Sequence, residues 1–182
     1  MERIISQDAD STKLAIRVLS WITRAKRALS PLELQHALGV EVGKLEFNKK
    51  NLPEIQDMVS DCAGLVIVDE ESDIIRLVHY TTQEYFKRTQ ERWFLDAKAN
   101  LAQVCITYLS FDTFTYGFCP SDEEFETRLQ SNPLYDYAAR NWGHHIRELN
   151  AYSLNAEFLE NKAKVAASSQ ALMAKKELST SN

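Results

Sequence analysis

Residues 65–88 read LVIVDEESDIIRLVHYTTQEYFKR, and this stretch decides the fold. Two short apolar runs, Leu65 to Asp69 and Ile74 to Val78, flank an acidic turn. Short apolar runs joined by a tight polar turn are typical of a β-hairpin. A polar start and an aromatic-rich segment follow at once, so the sequence predicts a hairpin that leads directly into a helix.

His79 occupies the junction between the second strand and this helix. Thr81 or Thr82 is placed to cap the helix, with Glu84 positioned to complete a capping box. A side chain at such a junction is held by regular structure on both sides and is aimed outward. The functional interpretation therefore depends on what His79 faces.

Three helices are predicted ahead of the hairpin. The first has an amphipathic pattern and Ser11 or Thr12 as its cap, and the second has the serine–proline–glutamate start of a capped helix at Ser30. Helix, helix, helix and a two-stranded wing is the order of a winged-helix domain, predicted over residues 14–88 after an N-terminal tail of residues 1–13. The predicted helices are Leu14 to Ala25, Ser30 to Leu38 and Glu54 to Cys62.

The pattern from residue 90 to residue 173 is purely helical and predicts an array-like helical domain. Residues 174–182 turn polar, which predicts a frayed tail. We therefore expect a mainly α protein of two parts. The predicted helices of the second part are Trp93 to Ser110, one starting at Ser121 and broken at Asn132-Pro133, Leu134 to Leu149, and one from about Asn155.

Composition narrows the classes of function. The 182 residues carry a formal charge of −5, and they include three cysteines without CxxC spacing in apolar surroundings. Reduced core thiols of this kind favour a cytoplasmic protein. No apolar run is long enough for a signal core or a bilayer span, so we expect no membrane partner.

The charge pattern argues against DNA as a partner. A winged helix usually inserts its third helix into the major groove, but here that helix carries Glu54, Asp57 and Asp61 and no cation. The wing has four carboxylates against Arg76 alone. Because duplex binding needs several cationic contacts, a nucleic-acid partner is not expected.

Catalytic and metal sites have little support. No GxSxG elbow or recognised pairing of serine or cysteine with histidine occurs, so we expect no enzyme activity and no catalytic residue. His144 and His145 are adjacent on a helix and point in different directions, which favours packing by His145 over a metal site. Trp142 is expected to be buried beside Tyr135 and Tyr137, and its replacement by alanine to cost about 3–5 kcal/mol.

Several separated motifs resemble one family. LAIRVLSWITRAKRALSPLELQHAL (residues 14–38) and LVHYTTQEYF (77–86) are similar to the winged helix that follows the NACHT domain in fungal NLR-like (STAND) proteins. This winged helix is named after a GPI inositol-deacylase. LAQVCITYLSFDTF (101–114) and PLYDYAARNWGHHIRE (133–148) resemble the helical segment that follows, usually just before ankyrin repeats.

The resemblance implies a regulatory role without catalysis. The winged helix would sense the nucleotide state of a NACHT domain, and the helical part would relay it to a C-terminal repeat sensor. This chain contains no GxxxxGKS or GxxxxGKT loop and no ankyrin signature. We therefore expect a fragment of a larger receptor, whose nucleotide-binding domain and ankyrin-type repeats are its partners; a free-standing protein-interaction module is the alternative.

The resemblance also assigns a role to His79. In nucleotide-switch proteins of this class, a histidine at the wing-to-helix junction contacts the β-phosphate of ADP and holds the closed state. His79 matches that position, so it is a candidate phosphate sensor when a longer protein supplies the nucleotide-binding domain. ADP or ATP would belong to that domain, and no cofactor is expected in this chain. The other interpretation is that His79 caps the strand end and forms a local hydrogen bond.

Overall fold

A computed structural model describes residues 1–147 and 156–174. These residues form ten α-helices, two short 3₁₀ turns and one two-stranded antiparallel sheet. The predicted fold class, mainly helical with a winged helix followed by a helical region, is confirmed.

The first thirteen residues are not a tail. They contain helix α1 (Glu2–Ile5) and the start of helix α2 (Ala9–Arg24), and Ile4 lies in the core with 1% exposure. The Asp8 carboxylate accepts hydrogen bonds from the backbone N–H groups of Asp10 and Ser11 at 3.1 and 3.0 Å. The prediction of a Ser11 or Thr12 cap was therefore wrong, because the helix begins at Ala9 and Asp8 is its N-cap.

Helix α3 (Pro31–Gly39) begins with the predicted capping box. The Ser30 hydroxyl accepts from the Glu33 N–H at 3.1 Å, and the Glu33 carboxylate accepts from the Ser30 N–H at 2.9 Å. A 3₁₀ turn (Lys49–Asn51) and helix α4 (Ile55–Ser60) follow, and α4 is shorter at both ends than predicted.

The wing consists of strands β1 (Val66–Asp69) and β2 (Ile74–Leu77), close to the predicted bounds. Val66 pairs with Leu77 and Asp69 with Ile74. A third segment, which the sequence analysis did not predict, pairs with the other edge of β2. There the Ile75 N–H donates to the Leu29 carbonyl at 2.9 Å. This contact ties the turn between α2 and α3 to the wing.

The helix predicted from Trp93 to Ser110 is present, but it begins four residues later than predicted. Helix α5 spans Tyr80–Trp93, and helix α6 spans Ala97–Leu109. Between them Phe94 leaves the helical conformation (φ −130°, ψ 51°) and is buried against the Phe86 ring, with 5.4 Å between centroids. Tertiary burial of Phe94 thus overrides local helix propensity. The predicted boundary between the two parts, at residues 88–90, falls inside α5.

The remaining helices are α7 (Asp122–Ser131), α8 (Tyr135–Arg147), α9 (Ala156–Glu160) and α10 (Lys162–Met173), with a 3₁₀ turn at Asp112–Phe114. The predicted start at Ser121 and the break at Asn132-Pro133 are confirmed. The one helix predicted from Asn155 is two, because the Asn161 side chain accepts from the Lys164 N–H at 3.1 Å and starts α10 afresh. The predicted end of α8 at Leu149 and the tail from Lys175 lie outside the described residues.

One continuous core joins both parts of the chain. Helices α2, α6, α8 and α10 pack in succession, and the Trp21 ring of α2 meets the Tyr137 ring of α8 edge-on at 5.9 Å. Tyr135 and Tyr137 are fully buried as expected. Trp142 is only half-buried and packs edge-on against Phe158 at 5.5 Å, so the expectation of a buried Trp142 was wrong; the fully buried tryptophan is Trp21.

Candidate functional site

The candidate site is the junction at His79. The backbone there is fixed on both sides: the Val78 N–H donates to the Leu65 carbonyl at 2.9 Å, and the His79 carbonyl accepts from the Thr82 N–H at 3.0 Å. His79 itself is extended (φ −123°, ψ 138°) and is the N-cap of α5. A capping Thr81 or Thr82 was therefore the wrong expectation, because the helix begins one residue before them.

The His79 imidazole is exposed, and among residues 1–147 and 156–174 no group hydrogen-bonds to it. The interpretation in which the ring makes a local hydrogen bond is thus not supported. A neutral imidazole carries one donor and one acceptor, and both are open to a group outside the chain.

An open groove of about 450 Å³ lies beside His79, between the turn that follows α2 and the end of β2. At one point along the groove the turn is bridged to β2, where Leu29 pairs with Ile75. Just over half of the residues that line the groove are apolar. The apolar residues are Ile22, Ala25, Ala28, Leu29, Ile75, Leu77 and Val78; the others are Thr23, Arg27, Arg76, His79, Tyr80 and Gln83.

Two arginines at the groove are already paired. Arg27 binds the Glu33 carboxylate through two hydrogen bonds of 2.7 and 2.6 Å, and Arg76 binds Asp69 at 3.2 and 3.1 Å. The Thr23 hydroxyl oxygen is buried without a hydrogen-bond partner among the described residues. The first turn of α5 has no acidic residue, so the positive end of its dipole is not neutralised there.

The comparison with known families bears on this architecture. A family model described as "GPI inositol-deacylase, winged helix domain" matches residues 1–102, which include α1 to α5, the wing and His79. The chain belongs to this winged-helix family. The match covers more than half of the sequence and extends through the first helix, which the sequence pattern assigned to a tail. No curated protein and no solved structure matches the chain.

In this GPI inositol-deacylase winged helix, the surface that other winged helices present to DNA is acidic. Glu54, the N-cap of α4, and Asp57 within α4 are exposed, and so are Glu70, Glu71 and Asp73 at the tip of the wing. The wing arginine, Arg76, is paired with Asp69. These groups would repel a phosphate backbone.

The histidine pair of α8 divides as predicted. His145 is buried with 2% exposure and its Nε2 lies 2.9 Å from the Tyr137 hydroxyl, whereas His144 is exposed and its Nδ1 lies 2.9 Å from Arg147. Within residues 1–147 and 156–174, no group of three or more histidine, cysteine, aspartate or glutamate side chains is arranged to hold a metal.

The three cysteines are buried and free. Burial raises the pKa of the Cys62 thiol to about 12 and raises the pKa of Cys105 further, so neither forms a thiolate near neutral pH. Among the described residues, no helix is both long enough and apolar enough to span a bilayer.

A second exposed feature lies outside the groove beside His79. Tyr116 is 90% exposed and Phe118 is 55% exposed, yet their loop is firmly attached. The Gln170 side chain of α10 exchanges two hydrogen bonds with the Cys119 backbone at 2.8 and 3.1 Å, and Arg128 donates to the Gly117 carbonyl at 2.6 Å. Two aromatic side chains on a fixed loop are a candidate contact for a partner protein.

Proposed function

We propose that this chain is the regulatory winged-helix and helical segment of a NACHT-type signalling NTPase. In this role the groove beside His79 docks on the nucleotide-binding domain, and the helices from α6 to α10 connect that domain to ankyrin-type repeats. The observation that carries the proposal is the His79 ring, which is exposed on a rigid junction and has no hydrogen-bond partner within the part of the chain that the structure describes. Membership of the winged-helix family supports it.

The mechanism uses the fixed backbone around His79. A ring held by β2 on one side and α5 on the other can donate one hydrogen bond to the β-phosphate of ADP in the docked domain. ATP would change the phosphate position, and loss of the contact would free the winged helix to move. The first turn of α5 carries no acidic residue, so the positive end of the helix dipole also favours a nearby anion.

The groove supplies the rest of the docking energy in this proposal. Its apolar floor, including Leu29, Leu77 and Val78, would bury a side chain of the partner domain. The chain itself would not act as an enzyme; the nucleotide and its hydrolysis belong to the NACHT domain. Three buried, unpaired cysteines suit a reducing, cytoplasmic location.

The test is ADP release from the longer protein that contains this segment. His79→Ala should release a fluorescent ADP analogue about tenfold faster or more, because a hydrogen bond to a charged phosphate is lost. His144→Ala is the matched control, since His144 is an exposed histidine outside the groove. Equal release from the wild type and His79→Ala would contradict the proposed sensor.

The reading frame around the chain gives a second test. A transcript with a GxxxxGKS or GxxxxGKT loop upstream supports the receptor fragment. A transcript without one would overturn it and favour the alternative function, a free-standing interaction module. The exposed Tyr116 and Phe118 on their fixed loop are the specific observation behind that alternative.

A further inference from the structure

Arg27 touches two regions of the molecule at once. On one side it lines the groove beside His79. On the other side its Nη2 lies 3.2 Å from Oδ2 of Asp136 in α8, in addition to its two shorter bonds with Glu33. Its guanidinium also lies over the Tyr137 ring, 5.2 Å from the centroid. Arg27 is thus a direct polar link between the winged helix and α8.

The other carboxylate oxygen of Asp136 contacts Arg140. Oδ1 accepts from Nε of Arg140 at 2.7 Å, which orients the Arg140 guanidinium. That guanidinium donates to the Leu172 carbonyl at 3.1 Å and to the Ala174 carbonyl at 2.7 Å, at the C-terminal end of α10. These are carbonyls that a helix end leaves without intrahelical partners.

From this chain of contacts we infer that Asp136 couples the groove beside His79 to the C-terminal end of α10. An anionic group of a partner docked in the groove would draw Arg27 toward itself. The 3.2 Å contact with Asp136 is the longest of the three Arg27–carboxylate bonds and is the first to be lost. Asp136 would then be held by one fewer bond, so it would orient Arg140 less firmly and Arg140 would hold the end of α10 less firmly.

The surroundings make the contacts strong enough to matter. The side chains of Arg27, Asp136 and Arg140 are only 32%, 17% and 30% exposed, so solvent screens them less than surface pairs. The inference deepens the proposed function, because it gives a physical route from the nucleotide-facing groove to the side of the chain where repeats would attach.

The experiment is hydrogen exchange on the full chain alone, read in peptides that cover residues 168–174. Arg27→Gln should raise exchange there about threefold or more, although no hydrogen bond or ion pair joins Arg27 to α10 among the described residues. Arg27→Lys keeps the charge but loses the forked geometry and should give a smaller increase. Asp136→Asn should act in the same direction as Arg27→Gln.

Arg76→Gln is the matched control. Arg76 lines the same groove and also pairs with a carboxylate. Its partner, however, is Asp69 of the wing and not Asp136 of α8. It should leave exchange in residues 168–174 unchanged. An equal increase in Arg76→Gln, an unchanged α10 in Arg27→Gln, or an increase spread evenly over α2 and α6 would each overturn the coupling.

A double variant tests the route. Once Arg140→Gln has released the end of α10, adding Arg27→Gln should raise exchange no further, because both act through Asp136. An independent further increase would overturn that route. Since no nucleotide-binding domain is present in these measurements, their failure leaves the ADP-release test of His79 standing, and the converse also holds.

Discussion

Two histidine–tyrosine combinations of the chain, His145 with Tyr137 and His79 with Tyr80, lie in opposite environments. His145 and Tyr137 are buried in the core, with 2.9 Å between the ring nitrogen and the hydroxyl, and the same hydroxyl accepts from the Lys26 N–H at 3.2 Å. His79 and Tyr80 are exposed at the wing junction, Tyr80 by 71%. The same residue types therefore serve stability in one place and remain available to a partner in the other.

The difference shows what burial does to polar side chains. A buried hydroxyl must find partners or cost free energy, so Tyr137 is fixed by the fold around it. An exposed imidazole meets no such demand, and its position is retained only by the backbone that carries it. Replacing buried polar residues such as Tyr137 should mainly lower the free energy of unfolding. Replacing exposed residues such as His79 should mainly weaken the binding of a partner.

The largest effect is expected at the core side of this comparison. Trp21→Ala should lower the free energy of unfolding by about 3–5 kcal/mol, because Trp21 is fully buried and packs edge-on against Tyr137. Trp142→Ala should cost clearly less, since Trp142 is half-buried. Urea denaturation of both variants measures this, and equal losses would contradict the assignment of Trp21 to the core.

A smaller effect sharpens the comparison of the two pairs directly. Tyr137→Phe removes the hydroxyl that contacts both His145 and the Lys26 N–H, and should cost about 1–3 kcal/mol. Tyr80→Phe is the matched change at the exposed pair and should stay within about 0.5 kcal/mol of the wild type. If the two variants lost stability equally in urea denaturation, burial would not be what separates the pairs.

Local features of the fold were predictable from the sequence, because their causes are adjacent in the chain. The Ser30–Glu33 capping box and the acidic turn of the wing are examples, and both lie within a few residues of the groups they contact. The position of His79 followed from the same hairpin. The start of α2 did not, because several adjacent polar residues are suitable caps and the structure uses Asp8.

Features that depend on distant residues were not predictable. The break at Phe94 depends on its burial against Phe86, and the groove beside His79 depends on where Leu29 meets β2. The contact between Arg27 and Asp136 joins residues 109 positions apart. Its only local signal was the spacing of Asp136 and Arg140, which suits an ion pair within one helix.

The smallest expected effect concerns a third histidine, His36, which stands between the two extremes. Its ring stacks on Phe47 at 4.7 Å and its Nδ1 lies 3.0 Å from the Tyr108 hydroxyl. Burial, and to a lesser degree the charge of Lys49, lowers the pKa of His36 below its ordinary value. The unfolded chain therefore binds this proton more readily than the folded protein does.

This pKa difference has a definite sign for stability. Above the ordinary histidine pKa of about 6.5 neither state holds the proton and the His36 contribution is complete; as pH falls below that value the unfolded state is favoured. Urea denaturation between about pH 7 and pH 5 should show a smaller loss in His36→Gln than in the wild type. Carboxylates common to both proteins cancel in the comparison, so parallel curves for His36→Gln and the wild type would show that the buried face of His36 does not disfavour its charged form.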